Sequence, residues 1–245
     1  MEQTRRRLAE WATAMAALVW SALFARYVLA VSFSNYDDEG YFLLALQRYF
    51  TLGPAAAASY SHYGPFYYFV QSLVVSPPVT HDAGRLATLL CWVAAGVLAA
   101  VCVWKLSGNL ALSGAAMLAV VRVLSVVAKE PSHPQQVIAV LLALGTLLCV
   151  RAGQWRLFTL GAVGVALVFT KINVGGFYLV ALAHACVCLL PRGRWRTAGL
   201  AVSMAYAVLA APLLARTHWS SGAAGFALVA SLCAAATFAM GAAGR

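Results

Sequence analysis

The sequence predicts an all-α, polytopic transmembrane helical bundle, and three observations carry that prediction. Mean hydropathy is +0.82 over 245 residues, 63% of them hydrophobic and only 10% charged, too little polar surface for a soluble globule. The apolar residues gather into about eight runs of near-membrane length, bounded by short segments carrying charge, Pro or Gly. The basic residues sit mostly in those short segments, where they act as topology signals. The formal net charge of +10 is thereby explained without a nucleic-acid partner, and none is expected.

The first element follows Arg5, Arg6 and Arg7 and runs from about Trp11 to Phe33. It exceeds the apolar core of a cleaved signal, roughly 7–15 residues, and reads as an uncleaved signal-anchor with its N-terminus inside. A small-residue site ending at Ala30 leaves cleavage as the alternative. Next comes the longest stretch without a crossing, residues 34–82, read as the first extracytoplasmic loop. Gly40 to Thr51 has helical composition, with Gln47 and Arg48 beside Leu43, Leu44, Leu46 and Phe50. A second helix begins at Pro65, runs through Phe66, Tyr67, Tyr68, Phe69 and Val70, and stops before Pro77 and Pro78. Both read as interfacial helices on the outer leaflet, where Tyr and Phe are at home, with Tyr60, His62, Tyr63 and Gly64 as the loop between them.

Further crossings are expected at about Arg85–Val103, Leu110–Ala128, Gln136–Val150, Leu157–Thr170, Val174–Leu190, Ala198–Leu214 and Gly222–Met240, making eight with the first. Threaded from an inside N-terminus, they leave ten cations inside (Arg5, Arg6, Arg7, Lys105, Arg151, Arg156, Arg192, Arg194, Arg196, Arg245) and five outside (Arg48, Arg85, Lys129, Lys171, Arg216). That split obeys the positive-inside rule with no helix flipped. The arm Leu157–Thr170 is short: at about 1.5 Å per residue it spans roughly 21 Å of a roughly 30 Å hydrocarbon core. Either the turn Lys171-Ile172-Asn173-Val174-Gly175-Gly176 sits below the outer surface, enclosed by protein or a watery cavity, or the hairpin is thin and tilted with Lys171 snorkelling. No internal repeat divides the chain, so residues 1–245 are expected to form one membrane module. The six cysteines fall within predicted spans without zinc or redox spacing and read as small apolar packers.

Chemistry is sought where carboxylates are crowded. The segment Asn35-Tyr36-Asp37-Asp38-Glu39-Gly40-Tyr41 holds three of only seven acidic residues, and the threading puts it outside together with Asp82 and Glu130. Its structural reading is that Asn35 or Asp37 caps a helix. Its functional reading is a carboxylate taking a proton from an acceptor hydroxyl while a cation stabilises phosphate charge. Adjacent acids, Asp37 and Asp38, also offer oxygen ligands to a divalent cation, and no other cofactor is expected. Arg122 lies about two turns beneath the turn Lys129-Glu130-Pro131-Ser132-His133-Pro134, and Arg26 is similarly placed in the first span. Each is a site candidate or a snorkelling side chain. No P-loop, dinucleotide fingerprint, nucleophile elbow or zinc-spaced His pair occurs, and His184, inside an apolar helix, reads as a hydrogen-bonded core residue.

The Asp-Asp-Glu at residues 37–39, the Tyr-Gly-Pro-Phe-Tyr-Tyr at 63–68, the Lys-Glu-Pro-Ser-His-Pro at 129–134 and the Lys-Ile-Asn-Val-Gly-Gly at 171–176 together resemble the GT-C superfamily of integral-membrane glycosyltransferases. Within it the chain is most similar to the bacterial branch of protein mannosyltransferases and aminoarabinose transferases. The similarity covers Arg5 to about Leu190. It implies a polyprenyl-phosphate sugar donor, a bacterial inner membrane with the active face extracytoplasmic, and a catalytic Asp soon after the first span. Asp38 is then the first choice for general base and Asp37 its competitor, with Glu39 orienting the acceptor or a cation. Lys129, Arg122 and Lys171 are donor-phosphate candidates by position and charge, and Tyr63, His62 and Tyr67 are candidates for the acceptor side or the loop. Members usually continue through more helices, which implies a chain short at its C-terminus. The alternatives are a non-catalytic protein that binds or moves a lipid phosphate, and an inactive truncated transferase.

Overall fold

A computed structural model describes residues 2–31, 38–61, 63–150, 156–215 and 221–243. Asn35, Tyr36, Asp37, His62, Arg151, Arg216 and Arg245, named above, lie outside them, and of Asp38 only the backbone is described. The described residues are mostly helical, with no strand among them. Four helices are long and apolar enough to cross a membrane: Leu8–Val31, His81–Ser107, Leu110–Val127 and Ile172–Leu189. The protein is thus a helical membrane protein.

In chain order, α1 is Glu2–Val31, α2 Asp38–Leu52, α3 Pro54–Tyr60, α4 Pro65–Ser72, α5 His81–Ser107, α6 Leu110–Val127, α7 Gln135–Val150, α8 Arg156–Val168, α9 Ile172–Leu189, α10 Arg194–Ala215 and α11 Ser221–Ala243. Local chemistry sets the boundaries. Gly53 takes the positive φ of 86° that stops α2, and Pro54 starts α3 at once. Pro65 opens α4, and Gly64 precedes it. The Thr80 side chain accepts from the Ala83 amide to cap α5, which ends at Gly108 in the left-handed region, and Asn109 caps α6 through the Leu112 amide. Helix α3 was not anticipated: the loop expected around Tyr60 is a helix up to that residue, announced only by Pro54 ahead of an alanine run.

The chain forms two compact units, residues 1–175 and 176–245. In the first, α5 packs against α1, α6 and α7, and α1 also packs against α6. Without a hydrophobic drive between helices in lipid, close approach depends on small residues. Gly114 of α6 supplies it against α1, where an added Cβ would stand 3.2 Å from Ala17 Cβ. Gly96 of α5 does the same against Met117 and Val121. Around Trp92, which is fully buried, Ala25, Leu29, Ala95, Val121, Leu124 and Ala128 complete the core. In the second unit, His184 of α9 is buried, meets Ser203 Oγ of α10 at 2.7 Å and the Phe238 carbonyl of α11 at 3.2 Å, and stacks on the Phe238 ring. It is the hydrogen-bonded core residue its setting in an apolar helix suggests.

Candidate functional site

The acidic segment leads into α2, whose buried face carries Phe42, Leu43 and Leu46. Glu39 lies on the same stripe, three and four residues before Phe42 and Leu43. Its carboxylate accepts from Arg85 Nε and Nη2 of α5, both at 3.0 Å, and lies 3.4 Å from His81 Nδ1. The pair is mostly buried, 13% exposed at Glu39 and 24% at Arg85, and its two-pronged geometry fixes the first turn of α2 onto the first turns of α5. Asp38 is the first residue of α2 and stands one turn before Phe42.

Around Phe42 lies an aromatic and cationic cluster built from four separate segments. Its ring centroid is 5.5 Å from that of Tyr63, 6.3 Å from Tyr67 and 5.1 Å from His133. The Gln135 amide donates to His133 Nδ1, so that nitrogen is the acceptor and Nε2–H donates to Tyr63 Oη at 3.2 Å. Lys171 Nζ lies 5.5 Å from the Tyr63 ring centroid, a cation over an aromatic face. Tyr67 is buried and donates its phenol proton to the Ser132 carbonyl. Burial, and then the neighbouring Tyr68, hold its pKa well above the usual phenol value, so it remains a proton donor. Tyr68, whose hydroxyl meets Ser61 Oγ, is pushed up to about 12, chiefly by burial.

The turn bearing Lys129 and His133 is held from below. Ser132, at a φ of 59°, donates its amide to Thr88 Oγ1 of α5 at 2.8 Å, while Gln136 Nε2 donates to the carbonyls of Ala128 and Glu130. Gly84 leaves room for this turn: a Cβ there would stand 2.3 Å from Ser132 Oγ. The α8–α9 turn is held from the side. Gly64 and Phe66 amides donate to the Thr170 and Phe169 carbonyls, each at 3.1 Å, so the first loop takes up carbonyls that a helix end leaves unpaired. The turn following the short helix α8 is therefore enclosed by protein on this side.

The site candidates divide accordingly. Tyr63, Tyr67 and Lys171 come together, and His133 and Phe42 join them. Lys129 opens the His133 turn, is exposed, and has no partner among the described residues. Arg122 is exposed on α6 and donates to Ser125 of its own helix at 3.0 Å, so no contact brings it into the cluster. Glu39 is committed to Arg85. Sequence reasoning missed Arg85 and Phe42 as parts of this region, and nothing in spacing alone pairs residues 39 and 85. No group of three or more His, Cys, Asp or Glu side chains suited to a metal ion occurs among the described residues.

In chemical terms the cluster offers hydrogen-bond donors, aromatic rings set mostly edge-to-face and positive charge, next to the N-terminal end of α2 where the helix dipole also favours anions. Compared with models of protein families, with curated proteins and with solved structures, the chain finds no match.

Proposed function

We propose that the protein is a GT-C-like membrane glycosyltransferase that moves a sugar from a polyprenyl-phosphate donor to an acceptor hydroxyl on the outer face. On this reading the chain crosses the bilayer about eight times, with α2 and α4 lying along the outer interface. The observation that carries it is the convergence of α2's first turn, the 63–67 segment, the 129–134 turn and Lys171 on one cluster. Asp38, with Asp37 as competitor, takes the acceptor's proton as its oxygen attacks the sugar C1. The C1–O bond to phosphate breaks with inversion, and polyprenyl phosphate leaves with the electron pair. Lys171 and Lys129 stabilise the charge on that phosphate, and Glu39 acts as a positioning residue through Arg85. The test is transfer in vitro from several polyprenyl-linked donors. Asp38→Asn is expected to lower the rate by about 10²–10⁴-fold, the range of general-base contributions, with insertion and expression retained. Full activity in that variant sinks the assignment.

One observation favours a second reading. The described side chains of the cluster are aromatic and cationic, a set that holds an anion without needing a base. On that reading the protein binds or moves a lipid phosphate. Donor binding that survives loss of both Asp37 and Asp38, with no turnover in the unmutated protein, would select it.

A further inference from the structure

The C-terminal end of α1 and the start of α5 enclose an open groove of about 520 Å³ that shares Arg85 with the Glu39 pair and contains none of the cluster's aromatic residues. It is lined by Arg26 and Leu29 of α1 and by Asp82, Arg85, Leu86 and Leu89 of α5. Its size falls within the roughly 300–1,000 Å³ of small-molecule sites. Arg26 is exposed, lies five residues inside the end of α1, and has no partner among the described residues. A guanidinium in the outer part of a membrane span calls for an anionic partner. Arg85 gives Nε and Nη2 to Glu39, which leaves Nη1 without a partner among the described residues. The third charge is of the opposite sign: Asp82 stands in the first turn of α5, is exposed, and already acts electrostatically on Arg85 one turn along the helix. Among the apolar lining residues, Leu86 is 49% exposed and Leu29 is buried.

A simple anion satisfies the two arginines and is repelled by Asp82. A headgroup bearing both a phosphate and a primary ammonium satisfies all three. We propose that this groove seats a phosphatidylethanolamine-type phospholipid, its phosphate accepting from Arg26 and Arg85, its ammonium donating to Asp82, and its acyl chains lying along Leu29, Leu86 and Leu89. The combination of both charge signs with apolar side chains in one groove at the end of a membrane-length helix carries this inference, which does not depend on the glycosyl-transfer reading.

The test is native mass spectrometry of the full chain released from detergent with phosphatidylethanolamine, phosphatidylglycerol or polyprenyl phosphate. The readout is the ratio of lipids retained on folded protein, so a variant with lower yield still reports. The unmutated chain is expected to retain phosphatidylethanolamine several-fold over phosphatidylglycerol. Asp82→Asn should bring that ratio to about one, Arg26→Gln should lower retention of both phospholipids several-fold, and Arg26→Lys should keep most of it. A preference for phosphatidylglycerol in the unmutated chain, or a ratio untouched by Asp82→Asn, overturns the proposal. So does displacement of phosphatidylethanolamine by polyprenyl phosphate that Arg26→Gln abolishes, which would assign the groove to an anionic isoprenoid instead.

Discussion

Glu39 is the residue on which the docking of α2 against α5 depends most directly. A carboxylate in so apolar a chain is costly unless paired, and the two bonds from Arg85 supply the pairing. Glu39→Gln leaves Arg85 partly desolvated without its counter-ion, and a loss of roughly 1.5–3 kcal/mol is expected, as for other hydrogen bonds to charged groups. A lowered Tm in detergent for Glu39→Gln, matched by Arg85→Lys because an ammonium lacks the two-pronged fork, would support this; unchanged melting in both would refute it. The phenols predict a pH response at the same scale. The Tyr68 pKa rises from 10.0 in the unfolded reference to about 12, and that of Tyr67 is raised well above 10.0 too. Their contribution is fully present below pH 10 and is lost as pH climbs toward the folded values, because only the unfolded chain ionises first. Spectrophotometric titration of phenolate should show a late-ionising fraction that shrinks in Tyr67→Phe and Tyr68→Phe.

Among the elements, the short helix α8 shows how backbone contacts do what side chains do elsewhere. Its 13 residues span about 20 Å, short of a roughly 30 Å core, and the Phe169 and Thr170 carbonyls just beyond it are met by the Phe66 and Gly64 amides. Gly64 has an ordinary φ of −79°, so its value here lies in space, not in conformational freedom. A Cβ at Gly64 would stand 2.0 Å from the Phe169 carbonyl oxygen, a backbone atom that cannot step aside alone. Gly64→Ala is expected to part the first loop from the α8–α9 turn at a cost of about 1–3 kcal/mol, in the range of overpacking substitutions. It should raise amide exchange at Gly64 and Phe66, whose amides donate across the contact, while leaving α5 and α6 protected; unchanged protection at both amides would contradict the docking. Gly175 is the counterpart inside the hairpin, where a Cβ would lie 2.2 Å from the Val168 amide nitrogen. His184 plays the clamping part in the second unit. Its Nε2–H donates to the Phe238 carbonyl, since a carbonyl only accepts, and His184→Ala should cost about 1–3 kcal/mol by orphaning buried groups.

For the molecule as a whole, what composition and punctuation determine was legible, and what long-range pairing determines was not. Hydropathy located the long apolar helices and Pro65 marked the start of α4, whereas α5 begins at His81, capped by Thr80, ahead of the expected Arg85, and runs to Ser107, past the expected Val103. The pairing of Glu39 with Arg85 across 46 positions, the docking of Gly64 on Thr170 and the seat of Ser132 on Thr88 depend on which helices become neighbours, which no local pattern encodes. The cluster was legible only in part for the same reason: Tyr63, Tyr67 and Lys171 stood out by type, whereas Phe42 looked like one apolar residue among many. The threading of charges remains the feature that joins sequence to sidedness. Helix α6 is 18 residues long, about 27 Å, so the Ser107–Asn109 hairpin and the Lys129–Pro134 turn stand at its opposite ends. With the N-terminus inside, the first belongs to the inner face, beside Lys105, and the second to the outer face, beside Lys129. In a chain whose six cysteines are replaced, a membrane-impermeant thiol reagent should label Lys129→Cys in intact cells and Ser107→Cys only after permeabilisation. Labelling in the reverse order would invert the orientation and carry the aromatic cluster to the inner face, where a donor used outside could not reach it.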